Sequence, residues 1–368
     1  MSRAVYITAA RRSIVAPRGG ALAHLAPHQL AAPVVRAAIT DAQLTCNQID
    51  EVICGNALGA GGNPARLVAL AAGLPERVAG LSIDRQCSSG LDALLLGQAL
   101  IAAGQADIVI AGGVESYSQR PYRARQNLDG SKTAYDQPAF TPWPERDPKM
   151  AEAADELAVK CAIDRPKQDL WAAQSHTKAL AGRSHMTAEI CQIDSGLPQT
   201  DSYSRVLSLQ LCARAKVICG SITHANTAVA ADAAAFCVLT AQPRPNIGAI
   251  QLLGGATIGG DPSLPGLAPI AAIKMVLQHH KISASKVGQA EIMEAFAVQA
   301  LACIDGAGLD PARVNRHGGA LARGHPIGAS GAILAVRLFH DLQLRGGTGL
   351  AAIAAAGGLG TAALLQAK

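Results

Sequence analysis

The sequence predicts an α/β protein built in layers, on three observations. Apolar strand-like runs alternate with helix-like stretches, one strand–helix arrangement occurs twice, and small apolar residues dominate the composition. The 368 residues suffice for two or three structural units with ample core. At 49% hydrophobic and 16% charged, the chain is too apolar to be disordered. Aromatics are only 3%, so the interior must be filled largely by small side chains that let layers approach closely.

Taken in order, Val5–Thr8 and Glu51–Cys54 read as strands, and Pro27–Asp41 and Pro64–Ala72 as helices. Leu81–Asp84 reads as a strand leading to a helix that starts near Ser88 and runs to about Ala103. Asp107–Gly113 (DIVIAGG) and Gly349–Gly358 (GLAAIAAAGG) are apolar runs ending in glycines, as buried strands do. The glycines of Gly59–Gly62 and Gly254–Gly260 fit neither a dinucleotide nor a phosphate-loop pattern and read as turns.

The repeat is larger than any one element. Cys87-Ser88-Ser89-Gly90 opens a helix, followed by Gly104 and a strand ending Ala111-Gly112-Gly113. Gly328-Ala329-Ser330-Gly331 opens a second helix, followed by Gly346-Gly347 and a strand ending Ala356-Gly357-Gly358. Two similar halves follow, residues 1–118 with 229–246 and residues 247–368. Residues 119–228 break the pattern: they hold Trp143 and Trp171, many of the charges and the proline-rich stretch from Pro138 to Pro148. They read as an inserted, partly helical loop domain that shapes a binding site.

Bulk properties narrow the function. The net charge of +5 has no long basic run, which argues against nucleic acid and hints only weakly at an anionic ligand. The nine cysteines are an odd number, with no C-x-x-C pair and no Cys/His spacing typical of zinc, so the expectation is reduced thiols in the cytoplasm and no metal site. Met1–Gly20 lacks the apolar core of a signal peptide. Arg3, Arg11, Arg12 and Arg18 have the charge of a mitochondrial presequence, but Ala4-Val5-Tyr6-Ile7 reads as a first strand. Every Ala-rich stretch is broken by Gly, Asp or Arg, so no membrane span is expected.

Two residues stand out chemically. Cys87 falls between strand and helix, where a helix N-terminus is expected to lower a thiol pKa. Any one of nine cysteines is more often a buried structural thiol. His325 lies between Gly324 and Pro326, in a tight turn at the matching point of the second half. Pseudo-symmetry would bring it to face Cys87, and a nucleophilic thiol needs such a base.

Asn315-Arg316-His317-Gly318-Gly319 followed by Gly324-His325-Pro326-Ile327-Gly328-Ala329-Ser330-Gly331 resembles the signature of thiolases. Asn63-Pro64-Ala65-Arg66, Arg85-Gln86-Cys87-Ser88-Ser89-Gly90, Gly112-Gly113-Val114-Glu115-Ser116 and Glu294-Ala295-Phe296 are similar to further thiolase segments in the same order, over essentially the whole chain. The resemblance implies a five-layered α/β/α/β/α fold, a homodimer or homotetramer, and a pantetheine tunnel under the loop domain. It implies coenzyme A as substrate or product with no permanently bound cofactor, an acyl-CoA substrate, Cys87 as nucleophile and His325 as base. It further implies backbone N–H groups of Cys87 and Ala356 as oxyanion donors, and substrate contacts at Asn226, Phe296 and Ala228; His224, near the expected pantetheine end, is a candidate contact against the safer reading as an exposed loop histidine.

Two positions depart from the thiolase pattern. Met293 stands where an Asn or His positions a water in the first oxyanion hole, and a thioether donates no hydrogen bond. Ala354 stands where a second cysteine moves the α-proton, and a methyl group moves none. Asp84 replaces a small polar residue, and Ala228 a serine that often contacts coenzyme A. The acyl-transfer half of the reaction keeps its groups; the carbon–carbon half loses two. The leading reading is therefore a thiolase-type acyltransferase, against an acyl-CoA hydrolase, a transferase to another acceptor, or a non-catalytic CoA-binding protein. His317 occupies a position where thiolases accept Asn or His and reads as structural. Arg183, Arg214 and Lys216 remain unranked candidates for phosphate contacts.

Overall fold

The structure, a computed structural model, describes residues 3–59, 61–243 and 249–367. The expected boundary between the halves, at residues 246 and 247, lies outside the described residues.

In the first half, β1 (Tyr6–Arg12) leads to α1 (Pro27–Asp41), β2 (Glu51–Gly55), α2 (Pro64–Ala71), β3 (Ala79–Ile83), α3 (Ser89–Ala102) and β4 (Ile108–Glu115). The stretch 119–228 follows, carrying α4 (Met150–Lys160) and α5 (Arg165–Ala181), before β5 (Ala231–Thr240) completes the half. The second half comprises β6 (Ile250–Gly259), α6 (Ala268–His279), β7 (Gln289–Ile292), α7 (Ala297–Ala307), α8 (Ile327–Arg345), β8 (Gly347–Ala355) and β9 (Leu359–Ala367).

The two halves use one strand pattern. In the first, β1–β5 and β5–β4 are antiparallel, and β4–β2 and β2–β3 parallel. In the second, β6–β9 and β9–β8 are antiparallel and β8–β7 parallel. The strands meet where Tyr6 pairs with Gln251 and Ile7 with Ile250, giving the order β7-β8-β9-β6-β1-β5-β4-β2-β3.

Strand alternation builds the layers, because successive side chains point to opposite faces. Along β5, Ala233, Ala235, Cys237 and Leu239 join a central core with α3 and α8, while Ala234, Phe236 and Val238 join α1 and α2. Along β8, Ala351 and Ile353 face the same central core, while Leu350 and Ala352 face α6 and α7. Helices α3 and α8 thus form the middle of five α/β/α/β/α layers. α8 is covered on all sides over most of its length, and Gly328–Phe339 are all buried.

The middle helices cross at matched glycines. A Cβ on Gly90 would lie 2.7 Å from the Ala332 backbone nitrogen, and one on Gly331 2.5 Å from that of Leu91. Only hydrogen fits at either crossing point, and this draws the N-terminal ends of the two helices together.

The turn expected at Gly254–Gly260 is corrected: Gly254, Gly255 and Gly259 lie within β6. A Cβ on Gly255 would sit 2.4 Å from Leu95 of α3, so glycine there lets the strand approach the helix. Ala60 of the other glycine run lies outside the described residues.

Candidate active site

Cys87 sits just ahead of α3, after a turn in which Gln86 adopts φ +50°. That left-handed residue is uncommon outside glycine and aims the next side chain out of the helix path. The turn is held by Ser89, whose Oγ accepts from the Arg85 N–H at 2.8 Å, and by Arg85 itself, 2.8 Å from Asp92. His325 precedes α8, its backbone N–H donating to Val229 at 2.7 Å. The two side chains, 238 residues apart, meet with Nε2 3.1 Å from Sγ.

The tautomer follows from the neighbours. Ser330 Oγ lies 2.6 Å from His325 Nδ1 and donates to the Pro326 carbonyl at 3.1 Å. The serine proton is thus used, so Nδ1–H donates to Oγ and Nε2 presents its lone pair to the thiol.

The expectation of a lowered thiol pKa is corrected. Burial pushes Cys87 up to about 12, outweighing the N–H groups of Ala356 and of Cys87 itself that lie against the sulfur, and Glu115 and Asp84 add to the rise. Burial also pulls His325 down to about 4. The resting pair is a neutral thiol beside a neutral imidazole, so the proton moves when the new sulfur bond forms.

Sequence reasoning gave no role to Ser330, five residues beyond the histidine, or to Glu115. Glu115 is buried at the end of β4 and accepts from Gly328 N at 2.9 Å, Ala57 N at 3.0 Å, Leu58 N at 3.1 Å and Asn56 Nδ2 at 2.9 Å. Burial raises it to about 7, against those N–H donors. It fixes the start of α8 to the loop after β2, and so fixes where His325 stands. The only signal was an acidic residue at the end of a buried strand.

Cys87 and His325 open on a cavity of about 340 Å³. Ala354, Ala355 and Ala356 line it at the end of β8, and Ala228 and Phe296 line it at the return of the inserted stretch. That return is pinned by Ala228 N to Ala295 O and Ala297 N to Asn226 O, both 2.9 Å. Phe140, Met150 and Leu157 of the inserted stretch add apolar wall.

Two expected positions and the candidate His224 stand away from the cavity wall. Met293 is 1% exposed and belongs to the central core, where an unbranched thioether fits. Asn226 does not line the cavity: its amide bonds Asp169 and the Ser221 carbonyl at 3.1 Å, and its oxygen accepts from Thr223 N at 2.8 Å. His224 is exposed and away from the cavity wall. Of the phosphate candidates, Arg183, Arg214 and Lys216 are all exposed.

Among the described residues, no helix is long and apolar enough to cross a membrane. The nine cysteines are free thiols.

Residues 5–242 match the family described as "Thiolase, N-terminal domain", and residues 248–367 that described as "Thiolase, C-terminal domain". The chain is 37% identical to "Putative acetyl-CoA C-acetyltransferase YhfS" of Bacillus subtilis, over 98% of each chain. It is 34% identical to the Staphylococcus aureus protein of the same description, VraB, over 99% of each. A crystal structure of the Bacillus anthracis acetyl-CoA acetyltransferase superposes with a TM-score of 0.91 at 33% identity, covering 100% of this chain and 99% of that one. On both halves of its length, in sequence and in fold, this chain belongs to the thiolase family.

Proposed function

We propose that the protein is a thiolase-type acyltransferase acting on acyl-CoA through a Cys87 acyl-enzyme, with the carbon–carbon step impaired. The observation that carries this reading is the 3.1 Å contact of Cys87 Sγ and His325 Nε2 at the cavity wall. In the acylation step Sγ attacks the thioester carbonyl, and the Sγ proton passes to Nε2. The bond to the coenzyme A sulfur then breaks, and that sulfur takes the proton from Nε2 as it leaves. The Cys87 and Ala356 N–H groups, already directed at the sulfur, are placed to hold the oxyanion. Coenzyme A enters as substrate and leaves as product, with no permanently bound cofactor.

Residues 119–228 act as the inserted loop domain over the cavity, between the half formed by 1–118 with 229–246 and the half formed by 247–368. Ala228 and Phe296 contact the pantetheine arm. A homodimer or homotetramer is supported by the edge strand β3, beside which Leu67, Leu70 and Leu81 are 50%, 44% and 44% exposed. A cytoplasmic location is supported by the free thiols.

The second reading, an acyl-CoA hydrolase or a transferase to another acceptor, is favoured by Ala354. It lines the cavity with a methyl group where an α-proton must be moved. A thiolysis assay on acetoacetyl-CoA separates the two. The parent is expected to be slow, and Ala354→Cys combined with Met293→Asn to be faster by about a hundredfold or more. Equal rates would remove the impairment from the account, and release of free coenzyme A alone would favour the hydrolase.

A further inference from the structure

The chain carries a second cluster of chemically capable side chains, away from Cys87. His185 lies in a helical turn, Arg183–Met186, of the inserted stretch, His317 lies between α7 and α8, and Asp341 lies near the end of α8. Asp341 is 14 residues beyond Ile327, about 20 Å along the helix from the His325 end. None of the three lines the catalytic cavity.

Both histidines direct Nε2 at one carboxylate oxygen. His185 Nε2 lies 2.8 Å and His317 Nε2 3.3 Å from Asp341 Oδ1. The rings stack, centroids 4.1 Å apart at 27°, so both nitrogens face the same side. His185 makes a hydrogen bond. His317 Nε2 is buried and, at 3.3 Å from Oδ1, makes no hydrogen bond. A buried ring nitrogen left unpaired is costly unless something else meets its lone pair.

Three ligand atoms from these residues fall within 4.8 Å of one another. Around an ion with bonds of about 2.0–2.2 Å, neighbouring donor atoms sit roughly 3.0 Å apart at right angles and roughly 3.4 Å apart in a tetrahedron. The two nitrogen-to-oxygen spacings, 2.8 and 3.3 Å, are close to that range. Arg337, the nearby cation, is already paired with Glu189 at 3.0 Å and Glu291 at 3.1 Å.

The geometry points to a site for a borderline divalent cation, zinc in the first instance, held by His185, His317 and Asp341 and clamping the inserted stretch to α8. Two imidazoles and one carboxylate suit zinc rather than calcium or magnesium. The side chains of His185 and His317 are 21% and 15% exposed, which leaves an approach for a water as fourth ligand. The clamp would couple metal binding to the placement of the segment that covers the cavity.

The test uses the full chain stripped with a chelator, then given Zn²⁺ or Co²⁺ and desalted. One zinc per chain is expected to remain, with a raised thermal midpoint. The cobalt form should show ligand-field bands without a thiolate-to-metal charge-transfer band. His317→Asn, at a position where thiolases accept either residue, and separately His185→Asn in its exposed turn should each abolish retention and the zinc-dependent rise. The metal-free midpoints of the variants report whether they fold. Failure of the parent to retain zinc, equal retention by either folded variant, or a thiolate band marking cysteine ligands would overturn the proposal.

Discussion

Cys87 and His325 stand on one wall of the cavity, at the N-terminal ends of α3 and α8. Ala354 lines a second stretch of the wall, at the end of β8, and Met293, next after β7, is buried in the central core. The first wall is supported from every side. Ser330 orients the imidazole, Glu115 anchors α8, and matched glycines set the helix crossing. The second stretch has the backbone of a thiolase and side chains that carry no proton. The contrast teaches that main-chain geometry survives where side-chain chemistry changes, because sheet and helix packing depend on volume and pattern rather than on titratable groups.

The comparison can be broken or sharpened by experiment. The largest effect is expected at the base: His325→Asn should slow acyl-enzyme formation by roughly 10² to 10⁴ in single-turnover kinetics. A loss under tenfold would mean that Cys87 is activated by something else. Next, the Ala354→Cys and Met293→Asn repair should raise thiolysis and leave acylation of Cys87 unchanged, since it keeps Cys87, His325 and the Ala356 N–H in place. Ala354→Cys should supply most of the gain, because Ala354 faces the cavity whereas an amide at position 293 must fit among apolar neighbours. A smaller effect is expected for Ser330→Ala, which removes one hydrogen bond from Nδ1. Acylation should fall about tenfold, the equivalent of one such bond.

The pH profile sharpens the picture further. His325 accepts a proton only when neutral, and burial lowers it to about 4. The acylation rate should therefore hold steady as pH falls from neutrality, then drop as pH passes down through about 4. A drop centred near 6.5, the ordinary imidazole value, that persists in Glu115→Gln would mean that the histidine is solvated, since Glu115 itself is raised to about 7.

The fold was largely legible because its signals are local. The helix expected at Pro27–Asp41 has those bounds, since Pro27 opens it and apolar residues recur on one face. The repeated turn–helix–strand arrangement located both middle helices and, through them, Cys87 and His325. β1 extends to Arg12 rather than Thr8, because Arg12 is buried against Glu189 and Asp201 and does not mark a solvent edge. Glycines in β6 read as a turn because the helix they accommodate lies far away in sequence. The raised thiol pKa was hidden for a related reason: a helix terminus shows in sequence, whereas enclosure by residues from both halves does not. His185, His317 and Asp341 have no motif spacing at all, and only the fold brings them together.

The most direct measurement is the intact mass of the protein after incubation with acetyl-CoA, for the parent and for Cys87→Ser. The account predicts one acetyl group on the parent, removable by added coenzyme A, and none on the variant. An unmodified parent, or an adduct that persists when Cys87 is replaced, would contradict it.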